Sequence, residues 1–184
     1  ARLLSARTWN QTVVFVAFAA EEQGRHGSRH FVADRLLSGW QIDAAINMDI
    51  VGGRPGVPAG IRVFAQGPDT TPQMQLARYM DYIGSLYLPA FPTLLQDATD
   101  REGRFSDHIE FLNAGIPALR LTESEENFNW QHNALDTSDR LDYTYLAQVT
   151  QLNLVTVANM IGAPTPAPQP IVAPMADEAG LILS

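Results

Sequence analysis

Apolar residues fall along this chain in two rhythms, and the switches between them predict its architecture. Residues 12–19 (TVVFVAFA) are almost wholly apolar and rich in β-branched and aromatic side chains, as a central strand covered on both faces would be. Residues 43–50 (DAAINMDI), 61–66 and 116–123 (IPALRLTE) read as three further strands. Between them the spacing becomes helical. Phe31, Val32, Leu36 and Leu37 predict a helix over 28–38, and Leu76, Met80, Ile83 and Tyr87 a helix that opens on a Thr cap and a Pro. A short helix follows in SDHIEFLNAG, and 142–161 closes the series with Leu146, Val149, Leu154, Val157 and Ile161 inward. Strands alternating with helices predict the α/β class: three α/β/α layers around a mostly parallel central sheet.

In such sheets ligands sit at the carboxyl ends of the strands. Glu21 and Glu22 follow the first predicted strand, Asp49 lies near the end of the second, and Thr122 and Glu123 end the fourth. A carboxylate pair directly after a buried run is costly unless something uses the charge. Composition narrows what that is. With 12 basic against 20 acidic residues, the net charge of −8 argues against a nucleic-acid partner and offers no polybasic membrane patch. No apolar run reaches the ~18 residues of a membrane span. Cysteine is absent, so a metal site must draw on His, Asp and Glu. Of the four histidines, His26 and His30 stand four apart as in the helical H-E-x-x-H motif, but HGSRH has Gly where Glu belongs, and both read as surface residues. No G-x-S-x-G, P-loop or G-x-G-x-x-G occurs. His132 sits in an Asn- and Asp-rich loop before the last helix.

Four ordered blocks, FVAFAAEEQGRHGSRHFV, INMDIVG, SDHIEFLNAGIPAL and QHNALDTSDRLD, resemble the zinc-dependent aminopeptidase family of bacterial leucyl aminopeptidases, which also contains glutaminyl cyclases. The resemblance spans residues 12 to about 161 and implies a zinc exopeptidase fold acting on peptides with a free N-terminus. Position by position it implies Glu21 as general base toward a zinc-activated water. Glu22 and His132 would be ligands of one ion and Asp49 a ligand of a second. Ser106, Asp107 and His108 would wall the substrate pocket, and Asp136, with Thr137, would support the ligand loop. Ser106 and Asp107 read equally well as a helix N-cap, and Trp130, Phe128 and Phe105 as pocket lining or as plain packing.

The family also uses a histidine in an H-x-D block and a bridging aspartate, both ahead of the residues matched here. The opening ARLLSAR reads as the tail of a helix already under way, so the expected fold lacks its N-terminal strands. The two-ion zinc site would then be incomplete, and the isolated chain inactive or very weak. The exposed edge would favour self-association or pairing with the segment ahead. Residues 1–162 are thus expected to be the later part of a catalytic domain. Residues 163–184 read as a Pro-rich linker or the start of another module, which together with the resemblance suggests an exported protein. The alternatives are a non-catalytic binding or dimerisation module and a glutaminyl cyclase-like enzyme.

Overall fold

The structure is a computed structural model that describes residues 1–100, 103 and 105–163. The predicted linker from 164 onward lies outside the described residues. Four strands, β1 (Ala45–Met48), β2 (Ile61–Phe64), β3 (Thr93–Gln96) and β4 (Ala118–Glu123), form one sheet in the order β1-β4-β2-β3. β1 runs parallel to β4 and β2 to β3, while β2 and β4 pair antiparallel. Helices α1 (His26–Leu37) and α3 (His108–Asn113) cover one face, and α2 (Pro72–Tyr87) and α4 (Tyr143–Gly162) the other. The fold is mixed α/β with a mostly parallel sheet, as the alternation of elements predicts.

All six residues of β4 are buried, and their alternation divides the core in two. Leu119 and Leu121 join Ile61, Val63, Met80, Val149 and Leu152 beneath α2 and α4. Ala118 joins Val32, Phe111 and Ile116 beneath α1 and α3. The other inward positions of that second face, Arg120 and Thr122, are polar and lie under the strand ends. Asp142 caps α4, its Oδ1 accepting from the N–H groups of Thr144 and Tyr145 at 2.9 and 3.1 Å. Tyr145 then donates its hydroxyl proton to the Gly60 carbonyl at 2.6 Å and accepts from the Ser124 N–H at 3.1 Å, tying the helix to the residues just before β2 and just after β4, which meet at one end of the sheet.

Several expectations are corrected. Residues 12–18 form no strand among the described residues; Val14, Phe15 and Val16 are exposed. A strand needs a neighbour for its N–H and C=O groups as well as an apolar sequence, and here only Phe18 is held, by the rings of Phe31 and Phe111. β3 escaped the sequence reading because it is a four-residue edge strand with Leu94 exposed and the other three residues only half-buried, without clean alternation. The buried stripe of α2 is Met74, Ala77, Met80 and Ile83, and Tyr87 is exposed. Leu36 and Leu37 are exposed at the end of α1. On α4 the fully buried positions are Tyr145, Val149, Leu152, Thr156 and Ile161, with Leu146, Leu154 and Val157 only half-buried at the flanks of the stripe.

Candidate active site

Because β1 and β4 are parallel and adjacent, their carboxyl ends deliver Asp49 and Glu123 side by side: the Asp49 N–H donates to Leu121 O and the Glu123 N–H to Ile50 O. Glu21 and Glu22 reach the same rim through a tight turn before α1. The N–H groups of Gly24 and Arg25 donate to Glu21 O, and the Gly27 N–H donates to Ala19 O. Only glycine fits at 27, since a Cβ there would lie 2.4 Å from the Ala19 carbonyl oxygen. Arg25 and Arg29 pin the turn to α3 through the buried Glu110 at 3.0 and 3.1 Å. Burial pushes the Glu110 carboxyl up, but hydrogen bonds from Arg29 and Arg25 outweigh it and hold the group below the usual range.

One cleft is lined by Glu21, Glu22, Asp49 and His132 together, with Arg25, Phe105, Arg120, Glu123, Trp130, Asp136, Thr137 and Arg140 around them. His132 Nε2 lies 2.8 Å from Glu22 Oε1, a contact between two largely exposed side chains far apart in the sequence. Asp49 Oδ2 lies 3.2 Å from Nη2 of the buried Arg120. Glu123 accepts the Gly53 N–H at 2.8 Å. Among the described residues four non-glycine residues have left-handed φ, and Ala20, Ile50 and His132 of these flank or carry the acidic and imidazole groups of the cleft. For a β-branched residue such as Ile50 this is a strained conformation, of the kind found where a fold holds side chains in place for function. Burial, and then the charges of Asp49, Glu22 and Asp107, push the Glu21 carboxyl above its ordinary value despite the opposing Arg25.

Ser106, Asp107 and His108 lie buried beneath the cleft rather than along its wall. Ser106 Oγ accepts from Asn47 Nδ2 at 2.8 Å. Asp107 is raised by burial, with the Ser28 hydroxyl opposing and Asp49 reinforcing. His108 is pushed down to about 4 by burial and by the nearby Arg120. The sign follows directly. Below pH ~6.5 the unfolded chain takes up a proton at His108 that the folded chain refuses until about pH 4. Stability is therefore expected to fall by up to about 3.5 kcal/mol as pH drops through that window (~2.5 pH units at ~1.4 kcal/mol each). Urea unfolding of wild type and His108→Phe at pH 7 and pH 4.5 checks this; the variant should lose less stability on acidification, and parallel losses would remove His108 as the cause.

Sequence reasoning missed Arg120, Arg25 and Glu110, which orient the site from below. A guanidinium at an inward position of the apolar ALRLT was the available sign, because a buried charge needs a partner. His26 and His30 are exposed on α1 and outside the cleft.

The donors in the cleft, one imidazole and several carboxylates, suit zinc chemically. Among the described residues, however, no three His, Asp or Glu side chains converge on a point where an ion could sit. Residues 1–157 match the family model described as peptidase family M28. The chain belongs to peptidase family M28. A probable zinc metalloprotease of Leptosphaeria maculans is 31% identical over 196 residues, covering 89% of the M28 chain and 46% of that protein. LapA aminopeptidase of Legionella pneumophila shares the fold with a TM-score of 0.73 at 23% identity, over 88% of this chain and 43% of that one. BSAP, a zinc aminopeptidase from Bacillus subtilis, matches with a TM-score of 0.61 at 22% identity, over 79% of this chain and 35% of that one. The M28 chain thus spans less than half the length of each of these three relatives. No helix among the described residues is long and apolar enough to cross a membrane.

Proposed function

We propose that this M28 chain carries the general base and part of the metal site of a zinc aminopeptidase acting on peptides with a free N-terminus. The observation that carries the reading is the meeting of Glu21, Glu22, Asp49 and His132 in one cleft, drawn from a turn, a strand end and a distant loop. Glu22 and His132 would hold one zinc ion and Asp49 the other. Zinc bound there would polarise the scissile carbonyl and acidify the attacking water. Glu21 takes the proton of that water and returns it to the leaving amine; its raised carboxyl suits a group that must both accept and donate. Arg120 orients Asp49, and Glu22, Asp49 and Glu123 make the cleft attractive to a cationic α-amine.

With no three donors converging among the described residues, the 184-residue chain by itself is proposed to bind zinc poorly and to turn over little. A second reading, a non-catalytic module that pairs with itself or another chain, is favoured by the exposed Val14, Phe15, Val16 and Met48. Steady-state hydrolysis of leucyl p-nitroanilide, with cyclisation of a glutaminyl peptide assayed in parallel, separates these. A longer protein in which an H-x-D block stands ahead of these residues should hydrolyse the anilide, and the 184-residue chain should be slower by about 10²-fold or more. Cyclisation without hydrolysis would reassign the chemistry, and the absence of both in the extended protein would leave the binding module.

A further inference from the structure

Among the described residues four arginines line the cleft: Arg25, Arg54, Arg120 and Arg140. Three are committed to carboxylates. Arg25 Nε lies 3.0 Å from Glu110 Oε1, Arg54 Nη2 lies 2.9 Å from Glu125 Oε1, and Arg120 Nη2 lies 3.2 Å from Asp49 Oδ2. Arg140 differs from these. Among the described residues it shares no ion pair, and its guanidinium lies over the Trp130 ring, 4.8 Å from the centroid. The neighbouring Asp139 makes no ion pair with it; the Asp139 carboxyl is held below its ordinary value chiefly by the Thr137 hydroxyl, with Arg140 a lesser contributor.

The backbone under Arg140 is well fixed. It sits in the 3₁₀ turn Ser138–Arg140, where the Arg140 N–H donates to Thr137 O at 3.1 Å. Tyr143 donates its hydroxyl proton to Ser138 O at 3.0 Å, and the Asp142 N–H donates to Gly52 O at 3.2 Å, joining the turn to the loop after β1. Stacking on an indole fixes the plane of the guanidinium and leaves its N–H fork unspent. Such a group loses little freedom when it captures a planar anion bidentately.

We propose that Arg140, backed by Trp130, is the anchor for a substrate carboxylate, so that the cleft selects short peptides carrying an acid beyond the scissile bond. The proposal rests on the aminopeptidase reading of the same cleft. Glu21, Glu22 and Asp49 give the cleft carboxylates that can receive the α-amine, and Arg140 gives the same cleft a guanidinium of opposite charge. That polarity matches a zwitterion. The carboxylate is either the C-terminus of a di- or tripeptide or an acidic side chain, and both present the same planar anion to the fork.

The test is calorimetric titration of the 184-residue protein with three peptides, in EDTA so that no metal takes the carboxylate. The peptides are leucyl-leucine, leucyl-leucinamide and leucyl-glutamic acid α-amide. Leucyl-leucine is expected to bind about tenfold more tightly than its amide, in line with one charge-assisted bidentate contact. R140Q should erase the difference, and R140K, which keeps the charge and loses the fork, should retain only part of it. Tight binding of the glutamyl amide instead of leucyl-leucine would support the subsite and identify the side-chain acid as its ligand. Equal binding of all three peptides, a preference surviving in R140Q, or no peptide binding overturns the proposal. These outcomes stand apart from hydrolysis by the extended protein, which alone decides the peptidase reading.

Discussion

Glu21→Gln in the N-terminally extended protein is expected to lower kcat by about 10²–10⁴-fold, the usual contribution of a positioned general base, while leaving zinc content unchanged. Gln keeps the shape of the side chain and its place in the turn before α1, but it cannot accept a proton from water. The structure gives Glu21 what the role requires. It lines the cleft with Glu22, Asp49 and His132, it is half-buried, and burial with the surrounding carboxylates lifts its pKa above the ordinary value. Because the base must be deprotonated to act, activity in the wild type should fall as pH drops through that raised value, and the variant should lose this acidic limb. Steady-state kinetics across pH 4–8 with metal analysis of each variant provide the check. A variant with wild-type kcat and full zinc content would remove Glu21 from the proton transfer and return the role to another carboxylate of the rim.

Zinc affinity should separate the chain from its extended form as sharply. The 184-residue protein is expected to bind zinc with a dissociation constant above about 1 μM, far short of the ~10–16 kcal/mol of a complete structural site. The reason is a shortage of donors: Glu22 and His132 meet at 2.8 Å, Asp49 is engaged by Arg120, and no third donor joins either group among the described residues. In the extended protein, His132→Ala should weaken binding by at least about 100-fold, since even residues that only orient a ligand cost 10–100-fold when lost. Competition titration against a chelating dye, with Glu22→Ala alongside, measures both. Submicromolar binding by the 184-residue protein, lost in both variants, would mean that a second copy of the chain completes the site.

Much of this was written in the order of the residues. The change from dense β-branched runs to helical spacing fixed the α/β class, because covered strands and one-sided helices have different hydrophobic periods. The abrupt carboxylates at Glu21, Glu22 and Asp49 marked the rim, because charges placed directly after apolar runs are costly unless something uses them, even though the run ahead of Glu21 is not itself buried here. Four ordered blocks pointed to the family, and His132 entered the candidate site through its block alone, for nothing in its loop distinguishes it otherwise. The chemistry of the donors, imidazole and carboxylate without thiolate, was equally plain from the sequence. What it could not supply was pairing. Residues 12–18 are as apolar as any strand and form none here, because a ladder requires a partner as well as a propensity. β3 carries little pattern of its own and exists because β2 lies beside it. Only the folded chain decided that β1 and β4 lie parallel, bringing Asp49 and Glu123 together, that Arg120 turns inward to hold Asp49, and that Ala20, Ile50 and His132 take left-handed backbone. The same holds for Arg140 against Trp130, ten residues away along an irregular loop. Local sequence sets which residues are available and what each can do chemically, while long-range contacts, which no local rule encodes, set which of them meet.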